Sequence, residues 1–507
     1  MSFISNMRRG SLGLASFCLA LSMAAASPAA AQQVPTPKVS QAPAGTPYGA
    51  AGQDLSRHGY VQEEVFIEGT SRSFVAAPGL ESVRDGRWNA TPTGPAAPYK
   101  VRLLIERPSD PAKFNGTVVV EWLNVSAMRD AGTFDGFGEE FMRAGYAYVG
   151  VSAQGAGVKH LRETADTARY GSLAHPGDSY SYDIFSQAAK ALRSGNPAPL
   201  GNLTGRIKSL VAWGGSQSGS RLFTYFNSAH QTARVIDGFI PFITAGGAML
   251  TQDPLPVVRM PSGAGAVIRT DLRTPVLFEN SESELPGAAR GVHSQPDSTW
   301  FRMWEYAGTS HAQRPPPPPG AAAAAALNPG TAGAAGVQCY VPPANSLAVQ
   351  PIWRAMVNAM DQWLRTGRAP ASAPRVAMSI PADPAQPATI VRAPATRLAN
   401  GGIRLPDVAV PTRTLWGTPP EAVLKANPNC RLFGAFDNWN GDSDAWDADP
   451  ALDISPKPEP SLVKLYGDNA KYVAAVKRTT DGLVARGYLL APDANAMVEA
   501  AKKVAIR

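Results

Sequence analysis

The stretch Ile207-Lys208-Ser209-Leu210-Val211-Ala212-Trp213-Gly214-Gly215-Ser216-Gln217-Ser218-Gly219-Ser220-Arg221-Leu222-Phe223-Thr224-Tyr225-Phe226 decides the fold. Its short apolar run, Leu210 to Trp213, reads as a buried strand. Small residues follow without a break, and Leu222, Phe223 and Phe226 then fall at i, i+1 and i+4, a helical stripe. Strand, sharp turn and helix with a serine at the apex form a nucleophile elbow. The turn forces the serine into a strained backbone and points its hydroxyl outward. The first free N–H groups of the helix then face a developing oxyanion. Two serines compete for the apex. With Ser216 there, the flanking small positions are Gly214 and Ser218, one Gly-to-Ser departure from G-x-S-x-G. With Ser218 there, both flanking positions become serines and two more residues must fit between strand and helix. Steric economy favours Ser216 and leaves Ser218 as the alternate. Ser and Gly also cap helices, so the stretch needs partners elsewhere before it can mean catalysis.

Around it, Tyr60 to Glu68, Tyr99 to Glu106 and Thr117 to Leu123 read as strands by β-branched content and alternation. A helix is expected over Phe134 to about Ala144, a strand over Tyr146 to Val151, and a helix over Tyr180 to Arg193. After the Ser216 strand come Val235 to Ile243, Pro275 to Glu279 and Trp300 to Tyr306, then a helix from about Leu347 to Leu364. From residue 117 on, strands alternate with helices or with connections long enough to hold them. This pattern predicts a mostly parallel sheet with helices on both faces and an antiparallel edge, an α/β fold. Reacting groups in such sheets sit on loops at the carboxyl ends of strands, where Ser216 lies.

A serine hydroxyl needs a base, and the base needs an orienting carboxylate. The histidines are His58, His160, His175, His230, His293 and His311. In the order serine, acid, histidine, the base belongs after the last core strand. Trp304-Glu305-Tyr306-Ala307-Gly308-Thr309-Ser310-His311 has that form, so His311 is the expected base, with His293 as runner-up. The preceding strand runs into Ser281-Glu282-Ser283-Glu284, which makes Glu284 the expected acid, Glu282 the alternate and Asp297 a more distant candidate. For the oxyanion hole, the N–H of Gln217 and a second from Leu123 or Asn124, on the loop after Thr117–Leu123, are expected.

The ends of the chain organise differently. Arg8 and Arg9, an apolar run from Leu12 to about Ala26 and small residues through Ala31 describe an export signal over residues 1–31, so a periplasmic or secreted protein is expected. Residues 32–57 read as a linker, 58–366 as the catalytic unit and 312–338 as a Pro/Ala/Gly-rich insertion. Residues 367–507 read as an accessory segment packed on the core, ending in helices over about 461–486 and 493–504. The formal charge of +7 is spread thinly and forms no basic block of the kind nucleic-acid binding needs. No later apolar stretch is long enough for a stable membrane insertion. Of three cysteines, Cys18 lies in the signal, leaving Cys339 and Cys430 as a disulfide candidate. Residues 437–449, with Trp439 and Trp446 among acids, could hold a cation or a sugar, but their spacing fits no EF-hand, and a solvated loop reads better. His175 and Asp178 are expected to orient the loop before the second helix and to cap it, with Asp178 or Ser179 at its start. No motif for a nucleotide, flavin or zinc is present, and no cofactor is expected.

The chain resembles the secreted α/β-hydrolase-domain proteins of uncharacterised function that carry a Gly-x-Ser-Gln-Ser-Gly elbow. The resemblance rests on Gly214–Gly219, Tyr170-Gly171-Ser172-Leu173-Ala174-His175-Pro176-Gly177-Asp178, Ser281–Glu284 and Trp304–His311. It extends to Leu465-Tyr466-Gly467 and Gly487-Tyr488-Leu489-Leu490. It implies an α/β-hydrolase fold and a hydrolase-like triad, and supplies no substrate. The Pro/Ala tract after His311 departs from it. The expectation is an exported serine hydrolase acting on a small-molecule or polymeric ester. Amidase, lactonase or acyltransferase chemistry would use the same groups, and a non-catalytic binding or envelope protein on the same scaffold is the competing class.

Overall fold

Strand Thr117–Trp122 is buried at every position, and so is Ser209–Gly215. Such strands must be covered on both faces. Their side chains alternate between two cores. Val118, Val120, Trp122, Leu210 and Ala212 point into one, whereas Val119, Val211 and Trp213 point into the other. The computed structural model describes residues 34–80, 83–262, 266–312, 345, 347–426, 428–439 and 453–507. Its main sheet has nine strands: β1 (Lys38–Gln41), β2 (Tyr60–Arg72), β3 (Ala96–Pro108), β4 (Thr117–Trp122), β5 (Ala147–Val151), β6 (Ser209–Gly215), β7 (Gly238–Phe242), β8 (Val276–Ser281) and β9 (Phe301–Tyr306). Their spatial order is β1-β2-β3-β5-β4-β6-β7-β8-β9. The pairs from β5 to β9 are parallel, and β1, β2 and β3 form the antiparallel edge. This is the mostly parallel sheet expected from the alternation of elements.

The helices cover it as their stripes require. Helix α1 (Phe134–Arg143) turns Phe134, Phe137, Phe141 and Met142 inward and is broken at Gly138, whose φ of +64° no other residue adopts easily. Helix α2 (Ser181–Ser194) lays Ile184, Phe185, Ala188 and Leu192 on the Trp122 side of the sheet, with the Phe185 and Trp122 rings 4.9 Å apart. Helix α3 (Gln217–Thr224) runs on through Tyr225–Ala229 to Ala233. Helix α4 (Gln350–Thr366) covers the opposite face with Ile352, Met356, Met360 and Trp363, each buried side chain contributing about 1.5–3 kcal/mol.

Two expectations are corrected at the ends. Residues 32–57 are more than a linker: Lys38–Gln41 pairs antiparallel with Val65–Glu68 as β1. The helix expected over about 461–486 is two helices, Leu462–Tyr466 and α5 (Asn469–Ala485). Gly467 at φ +77° ends the first, and the Asp468 carboxylate accepts the Lys471 N–H (2.8 Å) to start the second. Helix α6 (Ala491–Ala501) follows. Residues 367–507 also bring strands, Arg413–Trp416 pairing with Ala435–Asn438. They reach the sheet edge itself: Ile403 bridges β9 at Tyr306, and its N–H donates to Glu305 O at 2.7 Å. Residues 1–31, the 313–338 part of the insertion, Cys339 and the 440–449 part of the acidic stretch lie outside the described residues.

Candidate active site

Ser216 occupies the turn between β6 and α3 with φ +59° and ψ −123°, a conformation that costs a non-glycine residue about 1–3 kcal/mol. The surroundings hold it there. Its N–H donates to Phe242 O on β7 (3.0 Å), and its carbonyl accepts from Ser220 N–H (2.9 Å). Helix and strand touch closely enough that a Cβ on Gly215 would lie 2.4 Å from the Phe242 ring, and one on Gly219 would lie 2.6 Å from Phe242 O. The small residues of the stretch are thus sterically required.

His311 and Glu284 converge on this serine from two separate loops. His311 Nε2 lies 2.8 Å from Ser216 Oγ, and His311 Nδ1 lies 2.6 Å from Glu284 Oε1. The other oxygen of Glu284 accepts from Ser281 N–H (3.1 Å) and Ser281 Oγ–H (2.6 Å). A carboxylate occupied in this way makes Nδ1 the protonated ring nitrogen and leaves Nε2 free to accept from the serine hydroxyl. The Ser283 hydroxyl accepts the His311 N–H (3.0 Å) and donates to Gly417 O (2.5 Å).

The other candidates are engaged elsewhere. Glu282, the alternate acid, is fully buried and accepts from Gly308 N–H (2.6 Å), Gly417 N–H (3.1 Å) and Arg392 Nη2 (2.8 Å). His293, the runner-up base, pairs with Glu305 through Nδ1 (2.6 Å). Asp297 holds Arg375 (2.9 Å). Ser218, the alternate nucleophile, is fully buried and donates to Gly215 O (2.9 Å). Glu279 on β8 is a further acid: burial, and then the nearby Glu284 and Glu305 carboxylates, push its pKa well above the ordinary range.

The loop after β4 corrects one expectation. The N–H of Leu123 still belongs to the sheet, donating to Val151 O (3.2 Å), and that of Asn124 donates to Ala131 O (3.0 Å). Neither is available to a ligand. The Asn124 side chain instead donates from Nδ2 to Gly215 O (3.1 Å), which ties this loop to the elbow. Val125 carries the next N–H, and among the described residues it donates to no group. Gln217, whose N–H opens α3, is anchored by its side chain: Nε2 donates to Gln154 Oε1 (2.9 Å), which also accepts from Trp122 Nε1 (3.0 Å). Gln154 donates in turn to Asp178 (2.9 Å), and Asp178 pairs with Arg221 (3.0 Å). Asp178 therefore braces the base of α3 and does not cap α2, whose start carries no side-chain cap. His175 lies beside it with Nε2 3.0 Å from Ala153 O, its pKa lowered by burial.

Cys430 is buried and disulfide-bonded, whereas its expected partner Cys339 lies outside the described residues. Trp439 is buried with its indole N–H on Thr414 Oγ1 (2.9 Å), a packing role that leaves no open face for a sugar. Among the described residues no three His, Cys, Asp or Glu side chains are grouped to hold a metal, and no helix is long and apolar enough to cross a membrane.

A doubly covered parallel sheet with a strained serine at the end of β6 and a histidine–carboxylate pair against it defines the hydrolase class of α/β proteins. Residues 32–499 match the family model described as "Alpha/beta hydrolase domain", and the chain belongs to that family. Solved structures with which it shares local similarity include a candidate dienelactone hydrolase from Klebsiella pneumoniae subsp. pneumoniae (12% identity, 48% of this chain and 85% of that one, TM-score 0.25). Others are the esterase Est22 (14%, 45% and 66%, 0.26) and a dienelactone hydrolase from Anabaena variabilis (14%, 38% and 72%, 0.24). No curated protein matches the sequence.

Proposed function

We propose that this chain is an exported serine hydrolase that cleaves carboxylic esters through an acyl-enzyme. The observation that carries the reading is the unbroken relay from Ser216 Oγ through both nitrogens of His311 to Glu284, mounted on a strained elbow. Ser216 Oγ attacks the ester carbonyl carbon as His311 Nε2 takes its proton, and Glu284 stabilises the imidazolium that forms. The N–H groups of Gln217 and Val125 receive the negative charge on the carbonyl oxygen. His311 returns the proton to the departing alkoxide, whose C–O bond breaks. A water, deprotonated by the same nitrogen, then releases the acid and restores the serine. Esters are chosen over amides because an alkoxide or phenoxide leaves with less help than an amine. Export follows from the basic, apolar and small-residue order of residues 1–31.

The test is hydrolysis of p-nitrophenyl esters from acetate to octanoate by the mature protein. A stoichiometric burst of nitrophenol followed by slower turnover is expected, with both phases absent from Ser216→Ala. Turnover that survives in Ser216→Ala would overturn the assignment. Fractionation of expressing cells tests export: mature protein outside the cytoplasm is expected, and full-length protein confined to the cytoplasm would refute it.

A further inference from the structure

Glu282 stands two residues before the acid, yet its oxygens are spent on the backbone around the base. Oε1 accepts the N–H of Gly308, where the loop carrying His311 begins and the chain turns at φ +78°. Oε2 accepts the N–H of Gly417 and pairs with Arg392, both in the 367–507 segment. The Glu282 N–H donates to Thr309 O (3.2 Å), so the same residue grips the loop at two points. Asn345 closes the arrangement from outside, donating from Nδ2 to Gly308 O (2.6 Å) and Trp416 O (3.1 Å). Gly417 lies so near that a Cβ there would be 2.3 Å from Glu282 Cβ. Acid loop, base loop and C-terminal segment are thus joined at one buried carboxylate.

We propose that Glu282 is a positioning residue for the base: it fixes the start of the His311 loop against Arg392 and Gly417, holds the imidazole in register with Ser216 and Glu284, and makes the 367–507 segment part of the working site. The proposal rests on the triad reading given under Proposed function. A buried carboxylate that meets two N–H donors and a guanidinium cannot be neutralised without freeing at least one of them. A displacement of the base by about 1 Å lowers the rate by about 10²-fold.

Glu282→Gln has one acceptor oxygen where three donors need two. The test is the rate of fluorophosphonate labelling at Ser216, together with kcat and KM for p-nitrophenyl butyrate, in wild type, Glu282→Gln, Glu282→Asp and Val39→Ala. Val39 is buried on β1, at the edge of the sheet opposite β9, and reports the effect of lost stability alone. Labelling of Glu282→Gln is expected to be about 10–100-fold slower, with KM within threefold. Glu282→Asp, which keeps the charge, should recover part of the rate, and Val39→Ala should label as wild type. Should Glu282→Gln not fold, Arg392→Met decides on the same readouts, with a smaller loss in the same direction expected. Labelling at the wild-type rate in the folded variant overturns the positioning role and leaves the triad standing. No labelling of wild type overturns the triad reading itself.

Discussion

Replacing Glu284 by glutamine keeps the shape of the side chain and removes its charge. One oxygen lies 2.6 Å from His311 Nδ1, and the other accepts an N–H and an O–H from Ser281. The Ser281 N–H can only donate, so the amide of the variant must turn its oxygen to Ser281 and its NH2 to His311. That orientation places the imidazole proton on Nε2, facing Ser216, where the ring cannot accept from the hydroxyl. The lost charge pairing gives a second measure of the damage. Unit charges about 4 Å apart attract by about 4 kcal/mol at an effective dielectric constant of about 20, and 4 kcal/mol corresponds to about three decades of rate. A fall in kcat of about 10³-fold or more is expected, with KM for p-nitrophenyl butyrate within threefold. Glu279→Gln is the control: the Glu279 side chain makes neither of the hydrogen bonds that hold His311 between Glu284 and Ser216, so the amide should leave kcat within about twofold. The assay is initial-rate hydrolysis at pH 7 with folding checked by circular dichroism. A folded Glu284→Gln enzyme within tenfold of wild type would refute the reasoning.

Three further outcomes are expected. Ser218→Ala should cost about 1 kcal/mol through the lost bond to Gly215 O but retain hydrolysis within threefold, as urea midpoints and initial rates will show. Activity abolished in a folded Ser218→Ala would transfer the nucleophile to that position. Gly219→Ala puts a methyl group 2.6 Å from Phe242 O and 3.0 Å from Gly214 O, both backbone atoms that cannot step aside. It should destabilise by about 1–3 kcal/mol and lower kcat at least tenfold, and an unchanged urea midpoint would contradict the close approach. Burial raises Glu106, on β3, from the ordinary 4.5 to about 8. The folded protein therefore keeps a proton that the unfolded chain releases, so this stabilising contribution is full below about 4.5 and fades as pH rises toward 8. Urea midpoints should fall from pH 5 to pH 9 in wild type and fall less in Glu106→Gln; equal slopes would refute the assignment.

The elbow was legible because three constraints coincide in one stretch. A strand buried on both faces must be apolar throughout, a tight strand-to-helix turn must be small, and the helix beyond must show its stripe. The loops that bring His311 and Glu284 to Ser216 were legible by order along the chain, each following a strand that the apolar pattern marks. What the pattern misses is set by contacts remote in sequence. Whether Asn124 or Val125 offers the free N–H depends on how far the β4 ladder and its bridge to Ala131 extend, which no local composition encodes. The grip of Gly417 and Arg392 on Glu282 joins residues 135 and 110 positions apart, the first through a backbone N–H that every residue carries and the second through a guanidinium. Strand β1 hides in Pro- and Ala-rich sequence because only four residues pair. The break at Gly467-Asp468 did carry a local signal, a helix stop followed by a cap, but the apolar periodicity continuing across it masked the boundary.

The central claim is that Ser216 is an activated nucleophile. Its most direct test is labelling of the folded protein with a fluorophosphonate probe and peptide mass mapping, with Ser216→Ala and His311→Ala alongside. The expected result is one adduct at Ser216, absent from Ser216→Ala and slowed at least 10²-fold in His311→Ala. An adduct at any other residue, or none on protein shown to be folded, would contradict it.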